Sequence, residues 1–301
     1  MRWTDRMTMR RKEALAGVLF ALPWILGFLV FTLYPIASSF YYSFTRYNMR
    51  SAPLWIGLAN YETIFTTDSL FVPGVLNTLY FVAFSVPLNL AASLLIAVLL
   101  NNRTFGIRFY RTLFYLPNVV SIVAVALLWQ WILDPTFGLI NQALALLGVE
   151  GPGWLTDAAW SKPSLILMGL WGVGGTVVIF LASLQDVPAS LYDAALIDGA
   201  GPVRKFRHIT LPMISPAIFF NLVMGIIGSF QVFTQAFIMT GGGPSDSTMF
   251  YALVIYRKAF WDIQMGYASA LAWILLVMIL AVTLVVLKLG NRFVFYGDTQ
   301  S

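Results

Sequence analysis

Six stretches of this chain run for more than twenty residues without Asp, Glu, Lys or Arg: residues 14–40, 75–100, 112–133, 164–184, 213–237 and 267–287. A helix needs about twenty apolar residues to cross the hydrocarbon core of a bilayer. Inside that core every backbone amide must find its partner within the protein, so only helices and closed barrels span it. Barrel strands alternate apolar and polar residues, and these runs do not. They predict an all-α integral membrane protein with six transmembrane helices. Composition agrees, since 59% of residues are hydrophobic and 10% are charged, where soluble domains carry about a quarter. One membrane domain, residues 14–290, is expected between an amino-terminal segment, 1–13, and a tail, 291–301. The first run lacks a cleavage signature and outlasts a signal-peptide core, so it reads as a mature helix.

The distribution of Lys and Arg orients the bundle. Thirteen of the eighteen precede the first run (Arg2, Arg6, Arg10, Arg11, Lys12) or follow the second (Arg103, Arg108, Arg111), the fourth (Arg204, Lys205, Arg207) and the sixth (Lys288, Arg292). The other five, Arg46, Arg50, Lys162, Arg257 and Lys258, fall in the other three loops, on the opposite side. Positive charge is retained in the cytoplasm, which places both termini and residues 186–212 there in the cytoplasmic membrane.

All charged residues are expected outside these runs or at their rims. A charge at the bilayer centre costs about 2.5–3.5 kcal/mol on insertion scales, and proton- or ion-coupled carriers accept that cost at an intramembrane carboxylate or a broken-helix ion site. No G-x-x-x-x-G-K-[ST] loop is present to hold nucleotide phosphates. The energy source is therefore sought in a partner. The zero cysteine count removes disulfide, zinc-ribbon and thiol-redox readings, and the single histidine, His208, argues against a histidine metal site. The basic residues cluster at helix ends with no nucleic-acid module.

Residues 191–212, LYDAALIDGAGPVRKFRHITLP, form a polar segment between two apolar runs. Ala194 and Ala195 favour a helix with Asp193 in its first turn, Gly199 can end it in a left-handed conformation, and a second short helix from about Pro202 to Ile209 is expected to close at Pro212. The segment resembles the EAA coupling loop of ABC importer permeases. The matching positions are Asp193, Ala194, Ala195, Asp198, Gly199, Ala200, Phe206, Ile209, Leu211 and Pro212, with Asp193 where the family pattern has Glu. Further pieces are similar to the carbohydrate branch, and specifically to its first permease subunit, the maltose permease F type. These are LYPIASSFYYSF from Leu33, GLANY at Gly57–Tyr61, NTL at Asn77, RTLFYLP at Arg111 and TGGGP at Thr240.

The resemblance implies a type I permease core that pairs with a second homologous permease, an ATPase dimer that binds ATP and Mg, and an extracytoplasmic solute-binding protein delivering a sugar. No cofactor and no catalytic residue is implied in this chain. An importer for another solute, and a channel or secondary carrier, are the alternatives.

Neutral sugars are recognised by amides, hydroxyls and aromatic faces. The fifth run carries Ser229, Phe230, Gln231, Phe233, Thr234, Gln235 and Phe237, and polar groups in hydrocarbon must face a path or another helix. The resemblance places substrate contacts here and on the fourth helix around Trp171, Gly172 and Thr176. Gln231 and Gln235, four apart on one helix, read equally as interhelical bonds worth about 0.6 kcal/mol each. Gly172, Gly174 and Gly175, and the Gly225/Ser229 pair, suit close helix packing. Asn89 is a further path candidate, and Gln130, between Trp129 and Trp131, an interfacial residue.

Overall fold

The computed structural model describes residues 9–101 and 106–290. Arg2, Arg6, Arg103, Arg292 and the tail 291–301 lie outside the described residues. Apart from one antiparallel pair, β1 (Thr45–Arg46) with β2 (Leu54–Trp55), the regular structure is helical. Among the described residues, four helices are long and apolar enough to cross a membrane, and two bent pairs bring the number to six if each pair is one span.

The fold divides into two compact units, one of residues up to Thr66 with Lys258–Trp273, the other of Thr67–Arg257 with residues from Ile274 onward. In the first unit, α1 (Met9–Phe28) passes through a π-helical turn, Leu29–Leu33, into α2 (Tyr34–Ser43). Proline lacks an N–H and its ring collides with the carbonyl four residues back in a regular helix. The wider turn, in which the Tyr34 N–H reaches Leu29 O, sits just ahead of Pro35 and makes room for it. After the β1–β2 hairpin, α3 (Ala59–Thr66) is fastened by Asn60, whose amide donates to Ser43 O at 2.8 Å and Thr45 O at 3.0 Å. The Gly57–Tyr61 motif thus serves as a clasp.

The second unit is built around α4 (Phe71–Leu100), 30 residues or about 45 Å long, which packs against the fourth and fifth apolar runs. Arg111 donates to Leu100 O at 3.1 Å, a cation at the carbonyl end of α4 where the helix dipole favours it.

Three of the six runs differ from straight spans. The third divides into α5 (Ile107–Tyr115), a 3-10 turn at Leu116–Val119 and α6 (Ile122–Ile132), with a bend of 101° between the two halves. Pro117 and the extended backbone of Val120 stop the helix where residues 112–133 read as continuous. The fourth starts early, because the Asp157 side chain caps α8 (Ala158–Trp171) by accepting from Ala159 N at 2.9 Å. It bends by 49° into α9 (Gly174–Gln185). Lys162 consequently lies on a helix and not in a loop. Its ammonium donates to Asn77 Oδ1 at 2.9 Å and lies 5.2 Å from the centroid of the Tyr80 ring, so the cation is solvated by an amide and an aromatic face. The fifth run contains α13 (Ser215–Phe230) and α14 (Thr234–Met239), with Gln231 to Phe233 between them outside helix, while the short helices α7 (Leu139–Leu146) and α15 (Tyr251–Tyr256) lie outside the six runs.

The α8–α9 break is held by backbone proximity. A Cβ on Gly174 would overlap Phe114 O and fall 2.9 Å from Tyr115 Cα. The Asn118 amide, oriented with its nitrogen toward Gly172 O at 2.7 Å, accepts from the Gly175 N–H. Asn77 donates to Asp246 O at 2.8 Å, and Thr240 and Thr248 exchange a 2.6 Å bond, so the Asn77 and Thr240–Pro244 motif pieces tie one loop to α4.

Candidate coupling loop and translocation path

Between α9 and α13, the chain forms α10 (Ala189–Ile197) and α11 (Pro202–Lys205). Gly199 adopts φ +70°. Its N–H bonds to Leu196 O at 3.0 Å and that of Ala200 to Ala195 O at 2.8 Å, the Schellman pattern that satisfies carbonyls at a helix end. Two local expectations are corrected. Because α10 begins at Ala189, right after Pro188, Asp193 falls in its second turn, away from the strongest dipole field. Pro212 does not end the second helix. A π-helical turn, Phe206–Thr210, in which the Leu211 N–H reaches Phe206 O, carries helical chain past Pro212 into α12 (Leu211–Met213), as at Pro35.

The ten motif residues divide into two faces. Asp193, Ala194, Asp198 and Gly199 are exposed, and Ala195 and Ala200 half-buried. Phe206, Ile209, Leu211 and Pro212 are half-buried toward the bundle. The loop rests on an apolar cluster that includes Ala97 and Leu100 of α4, Phe180 and Leu184 of α9, and Ile214, with Tyr192, Ile209 and Met213 packed against it. Tyr192 and Thr210 share a 2.8 Å hydroxyl bond that ties the first half of the loop to the second. Facing outward are Ile197, 88% exposed, Val203, 79%, and Leu196, 60%. These exposed branched aliphatic side chains lie on a loop that also carries Arg204, Lys205 and Arg207 and the exposed Asp193 and Asp198.

A cavity of about 180 Å³ in the second unit is lined by residues of α4, the α8–α9 break and α13. It brings together Gly172, Thr176 and Ser229 of the expected path residues, with Asn89, Asn221 and Gly225. Asn89 and Asn221 each donate to the carbonyl four residues back, Ser85 O and Ala217 O, at 2.8 Å, which fixes both amides and leaves their oxygens as acceptors. None of the lining residues is charged. Trp171 lies beside this cavity's wall against Trp129, ring centroids 6.3 Å apart.

Gln231, Phe233, Thr234 and Gln235 do not line the cavity. The break in the fifth run separates Gln231 from Gln235, so the two share no helix face. Gln231 donates to Ile227 O at 3.1 Å. Phe233 stacks on Phe237 at 5.3 Å, with Tyr256 against both. Sequence reasoning missed Asn221, although its spacing from Gly225 and Ser229, four and eight residues, puts all three on one face of α13.

Among the described residues, no group of three or more His, Cys, Asp or Glu is placed to hold a metal ion. Residues 89–294 match the family of binding-protein-dependent transport system inner membrane components. Over 294 residues the chain is 44% identical to the probable ABC transporter permease protein YesP of Bacillus subtilis (strain 168), covering 96% of this chain and 95% of that one. It is 32% identical over 282 residues to the arabinooligosaccharides transport system permease protein AraP of the same organism, covering 92% and 89%. Among solved structures it is similar to a chain of a bacterial ABC transporter that imports the acidic polysaccharide alginate, with a TM-score of 0.82, 26% identity and coverage of 96% and 98%. The chain therefore belongs to the binding-protein-dependent inner membrane components, as a multi-pass permease subunit of the ABC importer type and not an enzyme.

Proposed function

We propose that this chain is the first permease subunit of an ATP-driven carbohydrate importer. It lines the path at the Asn89–Thr176–Asn221–Ser229 cavity and receives the ATPase at the 186–212 loop. The observation that carries the substrate class is the lining, which is amide, hydroxyl and apolar without a charge. A phosphate or carboxylate solute at this place calls for Arg or Lys; neutral hydroxyls suit Asn and Thr. The arabinooligosaccharide system named among its relatives supports the same class; the alginate system supports a saccharide substrate but carries an acidic one. The partners are a second homologous permease that covers the open side of the path, two copies of an ATPase that bind ATP and Mg, and an extracytoplasmic solute-binding protein.

The path continues from the cavity past Gln231, Thr234 and Gln235, with Phe233 as an aromatic wall. In the reconstituted complex, Asn89→Leu or Thr176→Val is expected to lower sugar uptake several-fold, the worth of one hydrogen bond of about 1 kcal/mol. ATP hydrolysis stimulated by the loaded binding protein should remain. Gln231→Ala and Gln235→Ala should have smaller effects. Radiolabelled uptake checks this; unchanged transport of every sugar with Asn89 and Thr176 both replaced removes the cavity from the path. Uptake without any ATPase would favour the carrier reading.

The charge distribution assigns both termini to the cytoplasm. A reporter fused after Ser301 or within 199–205 should read cytoplasmic, and one within 150–157 external. An external carboxyl terminus would overturn this topology.

A further inference from the structure

The first unit contains a cavity of about 440 Å³, within the size range of small-molecule sites, that shares no residue with the path cavity. Its walls are the β1–β2 hairpin, α3 and the start of α16 (Met265–Gly290). They are fixed by bonds that do not depend on a ligand. Asn60 holds α3 to the hairpin strand. Gly266 donates to Tyr47 O at 3.1 Å and Gln264 to Lys258 O at 2.9 Å. A Cβ on Gly266 would overlap the Thr45 carbonyl oxygen, so α16 meets the hairpin backbone directly. Such a preformed hollow needs little ordering on binding.

Its polar lining is of mixed sign. Arg46 brings a guanidinium and Gln264 a side-chain amide to the cavity wall. Asn48 Oδ1 accepts from Arg50 N, Ser51 N and Ser51 Oγ, which fixes its nitrogen as a donor. Asp262 supplies an acceptor beside its 3.4 Å pair with Lys258. An anion here meets Asp262, whose charge is shared with Lys258, and a cation meets both Arg46 and Lys258. Vicinal hydroxyls, each a donor and an acceptor, satisfy both at once. Tyr47, stacked on Tyr42 at 4.6 Å, adds aromatic surface for C–H faces, and Tyr267, with the Lys258 ammonium 5.5 Å from its ring centroid, lines the wall beside it.

We infer that this cavity is a second saccharide site, taking one or two rings of a neutral sugar through Arg46, Asn48, Asp262 and Gln264 on the extracytoplasmic side, where sugar arrives. The inference rests on the carbohydrate reading above for its substrate class. The test uses the complete importer, both permeases with the ATPase dimer, in lipid nanodiscs without the solute-binding protein. Saturation-transfer NMR is recorded with maltotriose, raffinose and arabinotriose, and with trigalacturonate as an anionic probe. At least one neutral trisaccharide should show transfer. Arg46→Ala with Gln264→Ala should weaken its apparent Kd at least fivefold while the complex elutes intact, and Asp262→Asn should weaken it too. Absence of transfer from all three neutral sugars overturns the proposal. So does a Kd unchanged in the double variant, or binding of trigalacturonate alone, strengthened by Asp262→Asn. Unchanged sugar binding with lost stimulation by the solute-binding protein would make the cavity a protein-docking site instead. If uptake of sugars fails while this binding persists, the transport reading falls and the site stands; the reverse outcome removes the site alone.

Discussion

Replacing Gly199 by Val is expected to lower both ATPase co-purification and solute-stimulated ATP hydrolysis at least tenfold while the chain still inserts in the membrane. Gly199 has φ +70°, a conformation that costs an L-residue about 1–2 kcal/mol and a β-branched one more. No atom lies within 4 Å of a Cβ built there, so the penalty arises in the backbone and not from collision within this chain. Relaxing φ breaks the bonds from Gly199 to Leu196 and from Ala200 to Ala195 and redirects the chain into Pro202. The exposed side chains of Ile197 and Val203, before and after this turn, are then displaced relative to each other. Asn tolerates the left-handed region, so Gly199→Asn should retain most coupling. Asp193→Ala should act mildly, since Asp193 is exposed on the second turn of α10. If Gly199→Val keeps docking, stimulated hydrolysis and transport, the loop is not the coupling element; family membership, which rests on residues 89–294, is untouched.

The second large effect is expected at Gly174. Val there forces the α8–α9 break away from the backbone of Phe114 and Tyr115, a main chain that cannot step aside as a flexible side chain can. Overpacking of this kind costs about 3 kcal/mol, a large fraction of a domain's net stability. The yield of monodisperse protein should collapse and its thermal midpoint fall, as read by fluorescence-detected size-exclusion chromatography. Gly228→Ala is the control, because a Cβ at Gly228 meets nothing within 4 Å and Ala favours helix. A Gly174→Val protein as stable as wild type would show that the two backbones do not meet.

Runs without charge and the loop pattern made the spans and the left-handed Gly199 legible, because both are local: apolar length sets a crossing and a missing Cβ permits positive φ. The breaks were not. Pro117 and Gly172 look like residues that helices elsewhere tolerate, and whether they bend the chain depends on what packs there, such as Asn118 bridging Gly172 and Gly175. Lys162 was misplaced because helical start is decided by the Asp157 cap and not by hydropathy. Ser229, Thr176 and Gly172 were read as path residues and do line one cavity, whereas Gln231 and Gln235 were grouped by a helical periodicity that the chain abandons at Gln231. The motif pieces at Asn60, Asn77 and Thr240 turn out to fasten loops, a role that needs distant partners and leaves no trace in spacing.

The apolar cluster beneath the loop gathers the ends of α4, α9 and the start of α13 at one point, and the Tyr192–Thr210 bond makes the loop a single handle on them. A push on that handle is therefore delivered to three rods together. For a rod the length of α4, about 45 Å, a tilt of about 10° sweeps the far end through about 8 Å. A small stroke at the loop is geared up along the helices, and softening the Tyr192–Thr210 joint would waste that stroke as slack.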